Sequence, residues 1–359
     1  MAPILADTPD LSSLGDETTW KAVQEHAGRY GVAALVAYAV RPHASPAQRE
    51  WCDRVLVDSW SRYARMLGYL EYIIGLFADA GIPVISLKGP LLGQRYYTPP
   101  FLRKPSMDLD LAVTQQHLQA ACKSLIAAGY RQSIPIEEAV ARSHHVELTH
   151  PSRPKVELHF RLSHMDLGIP VDEFFERAIS RSLPNGQEVL VLGAADQLLH
   201  LVLHLAHSRF GSLFHLYEVR KVLRAEPPDV SAETFRRAID RHFCGAMRMT
   251  DIAFRELWGD PFLFFAIGNT ATWFDWRLKR NLYRSFERWS VPGRQLNFAT
   301  RLWGRWLDFQ ITDTPSDACR LVRHLTRSAC FQNARRVWNE PKSLVYAPCN
   351  VQVQKANDQ

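Results

Sequence analysis

A chain of 359 residues that is 47% hydrophobic, 11% aromatic and 22% charged can bury a sizeable core and has length for two domains, which excludes a disordered chain. The net charge of +6 fits an anionic partner, yet the longest Lys/Arg runs, such as Arg236-Arg237 and Arg335-Arg336, are only two residues long and mark no nucleic-acid tract. Six dispersed cysteines (Cys52, Cys122, Cys244, Cys319, Cys330, Cys349) form no CxxC pair, so reduced thiols are expected rather than a disulfide framework. The opening MAPILADTPDLSSLGDETTW lacks a basic n-region and an apolar h-region, and the Phe262–Ile267 run is far too short to span a bilayer. A cytoplasmic protein is expected.

A short N-terminal helical region comes first. Between Trp51 and Ala80, Val55, Met66, Leu70, Ile73, Ile74 and Phe77 recur at helical spacing, and Gly81 stands where a helix stop belongs. Residues 82–87 read as a short buried strand, ended by Lys88-Gly89-Pro90. Pro90 suits the first turn of a helix running to Tyr97, where its missing N–H costs nothing. A second strand follows at 108–113, and then a helix from Gln115 to Ala128 with Leu118, Cys122, Leu125 and Ile126 on one face, stopped by Gly129. His145–Thr149 and Lys155–Phe160 read as strands joined by a His-Pro-Ser-Arg-Pro turn, and Gln187–Leu192 as another. From Ala194 the pattern turns helical: Ala194–Arg209, Leu213–Ala225, Ser231–His242 and a run to Trp258, with Asp229-Val230-Ser231 as a helix cap.

The expected class is α+β, with a small mixed β-sheet core, flanking helices and a mostly helical C-terminal half. The expected divisions are 1–80, 81–193, 194–345 and a flexible tail at 346–359.

The stretch SMDLDLAV carries the first chemistry. Strand side chains alternate faces, so Asp108 and Asp110 point one way while Leu109 and Leu111 point the other. Two carboxylates held side by side repel, and a hard divalent cation, most simply Mg²⁺, relieves that repulsion. In KVELHF, Glu157 shares a face with His159 opposite Val156 and Leu158, and it is a third carboxylate for the same ion. The Lys88-Gly89-Pro90 turn offers the complementary half: a flexible backbone, helix N–H groups and positive charge from Lys88, Arg95, Arg103 and Lys104 for a phosphate chain.

The ordered set SLKGP, RYY, LRKPSMDLDLAV and VELHF, continued by VLGAADQLLHLVLHLAHSRF, resembles the bacterial "uncharacterised nucleotidyltransferase" family of the polymerase-β-like nucleotidyltransferase superfamily, over about residues 70 to 260. The resemblance implies a nucleotidyltransferase fold and transfer of a nucleoside monophosphate from an NTP, ATP foremost, to an acceptor. It implies Mg²⁺ or Mn²⁺ on Asp108, Asp110 and Glu157, with nucleotide contacts from Lys88, Gly89, Arg103 and His159. The acceptor it leaves open: a small molecule, a peptide, a protein side chain or an RNA end.

Two further patterns stand apart. Asp196, His200, His204 and His207 form one helical stripe, read as a polar seam against the α/β core in preference to a zinc site. Six of the ten tryptophans (Trp273, Trp276, Trp289, Trp303, Trp306, Trp338) lie in residues 271–340 with thirteen Lys/Arg against six Asp/Glu. Such a basic, aromatic stretch packs a helical core or binds a single-stranded nucleic acid, a peptide or an anionic membrane surface, and a non-catalytic module that recognises a peptide or protein through it is the alternative function.

Overall fold

The computed structural model describes residues 17–162, 171–208, 210–240 and 243–259. Three helices lead the chain: α1 (Glu17–Arg29), α2 (Ala33–Val40) and the 34-residue α3 (Pro46–Asp79). The start of α3 is written locally. The Ser45 hydroxyl accepts from the Gln48 N–H at 3.4 Å, the Gln48 side chain accepts from the Ser45 N–H at 3.0 Å, and Pro46 occupies the first turn. Its end is local too, because Gly81 takes φ +65°, a conformation costly for residues with a Cβ.

The next elements are β1 (Ile85–Ser86), α4 (Pro90–Tyr96), β2 (Asp108–Ala112), α5 (Gln115–Ala127), β3 (Arg131–Gln132), α6 (Ile136–Arg142), β4 (His145–Thr149) and β5 (Lys155–His159). Then come α7 (Asp172–Glu176), the hairpin of β6 (Ile179–Ser182) and β7 (Glu188–Val191), and helices α8 (Ala194–His207), α9 (Leu213–Ala225), α10 (Pro228–Asp240) and α11 (Cys244–Trp258). The strands make one mixed sheet in the order β3-β4-β5-β2-β1-β7-β6. Strand β2 is central: it runs parallel to β5 and antiparallel to β1, with Asp110 registered opposite Glu157. The α+β class with a mixed sheet is the one expected.

Two apolar clusters cover the sheet. Leu109, Leu111, Val146, Leu148, Val156 and Leu158 point to one side, against Leu70, Ile73 and Phe77 of α3 and Leu118, Cys122 and Leu125 of α5. The second cluster gathers Ile85, Leu87 and Ala112 with the N-terminal helices and α8 to α11, so Trp20 and Val36 share a core with Leu201 and Phe254. Because Ala112 lies two residues from Asp110, the carboxylate face of β2 is the face that this second cluster covers farther along. The side-chain period of two thus sends alternate residues to a dry core and to a charged cleft.

Several boundaries move from their sequence-based positions. Only Ile85 and Ser86 of residues 82–87 pair as strand, although Ile82, Val84 and Leu87 are also buried. Helix α10 begins at Pro228, so Asp229-Val230-Ser231 lies inside its first turn, where the Ser231 hydroxyl donates to the Pro228 carbonyl at 2.7 Å. Strands β3 and β6 and helices α6 and α7 carry too little periodicity to announce themselves; tertiary pairing makes them. Cys52 and Cys122 are buried thiols, and among the described residues no helix is long and apolar enough to cross a membrane. The tryptophan-rich segment 271–340 lies outside the described residues.

Candidate active site

The Lys88-Gly89 turn is set by the central strands. The Leu87 N–H donates to the Asp110 carbonyl at 3.1 Å, and the Gln197 side chain of α8 donates to the Leu87 carbonyl at 3.2 Å. Gly89 follows with φ +76° and ψ −145°, which demands glycine, while nothing lies within 4 Å of where a Cβ would sit. One turn later Gly93 is needed for a different reason. A Cβ there would meet the Pro100 carbonyl at 2.8 Å, so this glycine lets the 100–102 turn pack on α4.

These constraints deliver Lys88 to the carboxylates. Its ammonium lies 3.2 Å from Asp110 Oδ2 and 3.4 Å from His204 Nδ1. On the other side of Asp110, His159 Nε2 lies 3.1 Å from Oδ1 and 3.6 Å from Glu157 Oε2. Lys155 reaches Glu157 Oε1 at 2.5 Å, Glu147 at 3.6 Å and Asp108 at 4.0 Å. Asp108, Asp110 and Glu157 therefore share one face of β2 and β5 and are interleaved with Lys88, His159 and Lys155.

The electrostatics follow from this interleaving. Burial pushes the Asp110 carboxyl up, but Lys88 and the His159 hydrogen bond overcome it and hold it well below the usual range. Glu157 is likewise raised by burial and then pulled down to about 2 by His159, His145 and Lys155. Asp108 goes the other way, raised by burial and by the charges of Asp110 and Glu157. Burial pushes the His159 imidazole down, and its hydrogen bonds to Asp110 and Glu157 bring it above its ordinary value.

A cleft of about 450 Å³ opens above this floor. The carboxylates, Lys88 and Lys104 line it from one side, and His204, His207, Phe214 and His215 from the other. Arg103 reaches it as a brace: it is 6% exposed, its Nε donates to Glu218 Oε1 at 2.6 Å, and its Nη1 donates to Ser106 Oγ at 3.2 Å. In this arrangement it orders the loop before β2 by tying it to α9. Of the expected site residues, Lys88, Arg103, Asp108, Asp110, Glu157 and His159 all line the one cleft, and Gly89 is a neighbour through the backbone.

The donor set fits a divalent ion. Ligand atoms of Asp110, Glu157 and His159 lie within 4.8 Å of one another, and Asp108 adds a carboxylate on the same face. Asp108 is not in that closest group. The histidine stripe divides: His204 and His207 line the cleft, His200 is buried, and Asp196 turns away to pair with Arg177 and Arg237. Among the described residues no metal-capable group includes His200, His204 or His207. Sequence reasoning passed over His144, His145, Lys155, Phe214, His215 and Glu218. The signal for the first three was register: β4 pairs antiparallel with β5, so His145 comes opposite His159, and Lys155 lies opposite Asp108 on β2. No sequence signal placed α9 residues here.

Paired carboxylates on adjacent parallel strands thus face a glycine turn across a cleft that also holds Lys88, Arg103 and Lys104. The chain belongs to the family described as uncharacterised nucleotidyltransferase, whose model matches residues 16–250. That membership supports a role in nucleotidyl transfer. No curated protein matches the chain. Among solved structures, the lincomycin-bound lincosamide antibiotic adenylyltransferase LnuA is similar at 17% identity and a TM-score of 0.31, over 44% of this chain and 96% of that one.

Proposed function

We propose that the protein transfers a nucleoside monophosphate from an NTP, with ATP as the leading donor, to an acceptor hydroxyl, and that it does so with Mg²⁺ or Mn²⁺. The observation that carries this reading is the convergence of Asp108, Asp110 and Glu157 on one strand face, with Lys88 beside Asp110, in a cleft whose wall also carries Lys104. Asp108, Asp110 and Glu157 would hold the ion, with His159 beside them. When bound, the ion supplies charge neutralisation among the carboxylates and Lewis-acid polarisation of a phosphate oxygen.

The chain's own groups have separate tasks. Lys88, and the exposed Lys104 at the cleft wall, offer ammonium groups to the triphosphate, while Arg103 and Glu218 keep the loop between them in place. The acceptor oxygen attacks the α-phosphorus, the bond from that phosphorus to its bridging oxygen breaks, and pyrophosphate leaves with the electron pair. The acceptor's proton needs a base. Asp108, the most exposed of the three carboxyls, is the one an acceptor reaches from solvent. The acceptor is a small molecule, a peptide or a protein side chain.

Calorimetry with ATP tests the reading, with and without Mg²⁺, on the wild type and on Asp108→Asn/Asp110→Asn. Metal-dependent binding that disappears in the double variant is expected. Binding that ignores both Mg²⁺ and the substitutions, or no NTP binding at all, would sink it.

A further inference from the structure

Three imidazoles crowd the floor of the cleft beside the carboxylates. His144 precedes β4, His145 opens it, and the antiparallel register sets His145 opposite His159 at the end of β5. One ring nitrogen from each lies within 4.8 Å of the other two. His144 Nε2 and His145 Nδ1 are 3.1 Å apart, and the ring centroids are separated by 4.3, 5.1 and 5.2 Å. A tetrahedral ion with metal–nitrogen bonds of about 2.0–2.1 Å holds its ligand nitrogens about 3.3–3.4 Å apart. The first pair is already near that spacing without an ion.

The surroundings suit nitrogen ligation. His144 is 7% and His159 4% exposed, so both rings are screened from water. Glu157 Oε2 stands 3.9 Å from His145 Nδ1 and 3.6 Å from His159 Nε2, where it can serve as a fourth, oxygen donor. A ligating imidazole must be unprotonated, so uptake of the ion is coupled to loss of any ring proton, including one that His159 shares with Asp110. Three imidazoles and one carboxylate select a borderline ion such as Zn²⁺ or Co²⁺ over Mg²⁺, which prefers oxygen and water.

We propose that His144, His145 and His159 form a site for a Zn²⁺-type transition-metal ion, adjoining the carboxylate group and sharing His159 with it. Because His159 Nε2 also lies 3.1 Å from Asp110 Oδ1, an ion on the three imidazoles draws on a ring that the carboxylates use. The cleft floor thus has an oxygen-rich half for a hard ion and a nitrogen-rich half for a softer one. This site does not depend on the nucleotidyl-transfer reading, and its test contains no nucleotide.

The full chain, stripped of metal with a chelator, is titrated with Co²⁺ and followed by visible absorption. Intense bands of low-coordinate, nitrogen-bound Co²⁺ are expected, saturating at one equivalent and erased by Zn²⁺ but not by excess Mg²⁺. His144→Asn and His145→Gln, checked for folding by circular dichroism, each weaken Co²⁺ binding by more than about tenfold, since loss of an outer partner alone costs about 10–100-fold. His150→Gln leaves the affinity within about twofold, because His150 lies outside the imidazole group and outside the cleft. Weak bands of octahedral, oxygen-bound Co²⁺, or intense bands that survive both folded histidine variants, overturn the site. Proton spectra of Co²⁺-loaded wild type decide the matter if the variants do not fold. Three shifted, exchangeable imidazole N–H signals support the site, and two or fewer overturn it.

Discussion

Asp110 and Asp196 are both nearly sealed from water, at 7% and 1% exposure, yet they behave as opposites. Asp196, in the first turn of α8, is closed by two guanidinium groups: Arg177 Nε lies 2.9 Å from Oδ2, and Arg237 pairs with Oδ1 and with Glu233. Asp110 is closed by an ammonium and an imidazole, each of which also serves another group, with two more carboxylates alongside. Burial of a carboxylate therefore does not mark a site. What marks it is an excess of like charge held by partners that can leave. Arginine forks are permanent and bidentate, whereas a lysine can swing away and a histidine can change its charge.

The largest effect expected from this contrast is on stability. Asp196→Ala strands two arginines, one about three-quarters buried, and should lower unfolding free energy by about 3–5 kcal/mol in urea titrations while the folded fraction still binds ATP with Mg²⁺. A loss of nucleotide binding without a loss of stability would collapse the distinction. Next in size, Asp110→Asn should reduce nucleotidyl transfer by more than about 100-fold, since removing even an outer partner of a bound metal costs about 10–100-fold. Pyrophosphate release reads this, and near-wild-type turnover would remove Asp110 from the chemistry.

A third expectation uses pH. His200 is buried with no hydrogen-bond partner for either ring nitrogen among the described residues, and burial, Lys88 and His159 push it down to about 3. From the ordinary histidine value down to about 3, the unfolded chain binds a proton that the folded chain refuses, so stability declines as pH falls through that window. The slope from this one residue is about 1.4 kcal/mol per pH unit, and His200→Leu should flatten the curve between about pH 6 and about pH 4. An unchanged slope would mean that His200 accepts a proton in the folded state. The smallest effect is Asp108→Asn. This carboxyl is raised by burial and by its two acidic neighbours, so its removal should leave the melting temperature unchanged or slightly higher even as transfer falls. A clear drop in melting temperature would show Asp108 paired rather than repelled.

How much of this was legible beforehand depends on the range of the interaction. The DxD strand and the KVELHF strand declared themselves, because alternation alone sorts Asp108 and Asp110 from Leu109 and Leu111, and Glu157 from Val156 and Leu158. The stops at Gly81 and Gly129 were equally plain, since both take positive φ. The pairing of Arg103 with Glu218 was not legible, because Glu218 lies more than a hundred residues away on α9 and no local pattern announces it. His145 reads as the start of an ordinary strand, and only antiparallel pairing sets it opposite His159, with His144 just before it.

The amino-acid sequence by itself determined the element types at the centre of the sheet, the face on which the carboxylates stand and the glycine at the turn, because these follow from periods of two and 3.6 and from allowed backbone angles. Only the tertiary structure decided which cations stand between those carboxylates, which histidines gather beside them, and that Asp196 belongs to the scaffold. Charge balance in a buried cleft is a property of groups brought together across the chain, and its sign at each carboxyl depends on distances of a few ångströms that no local pattern encodes.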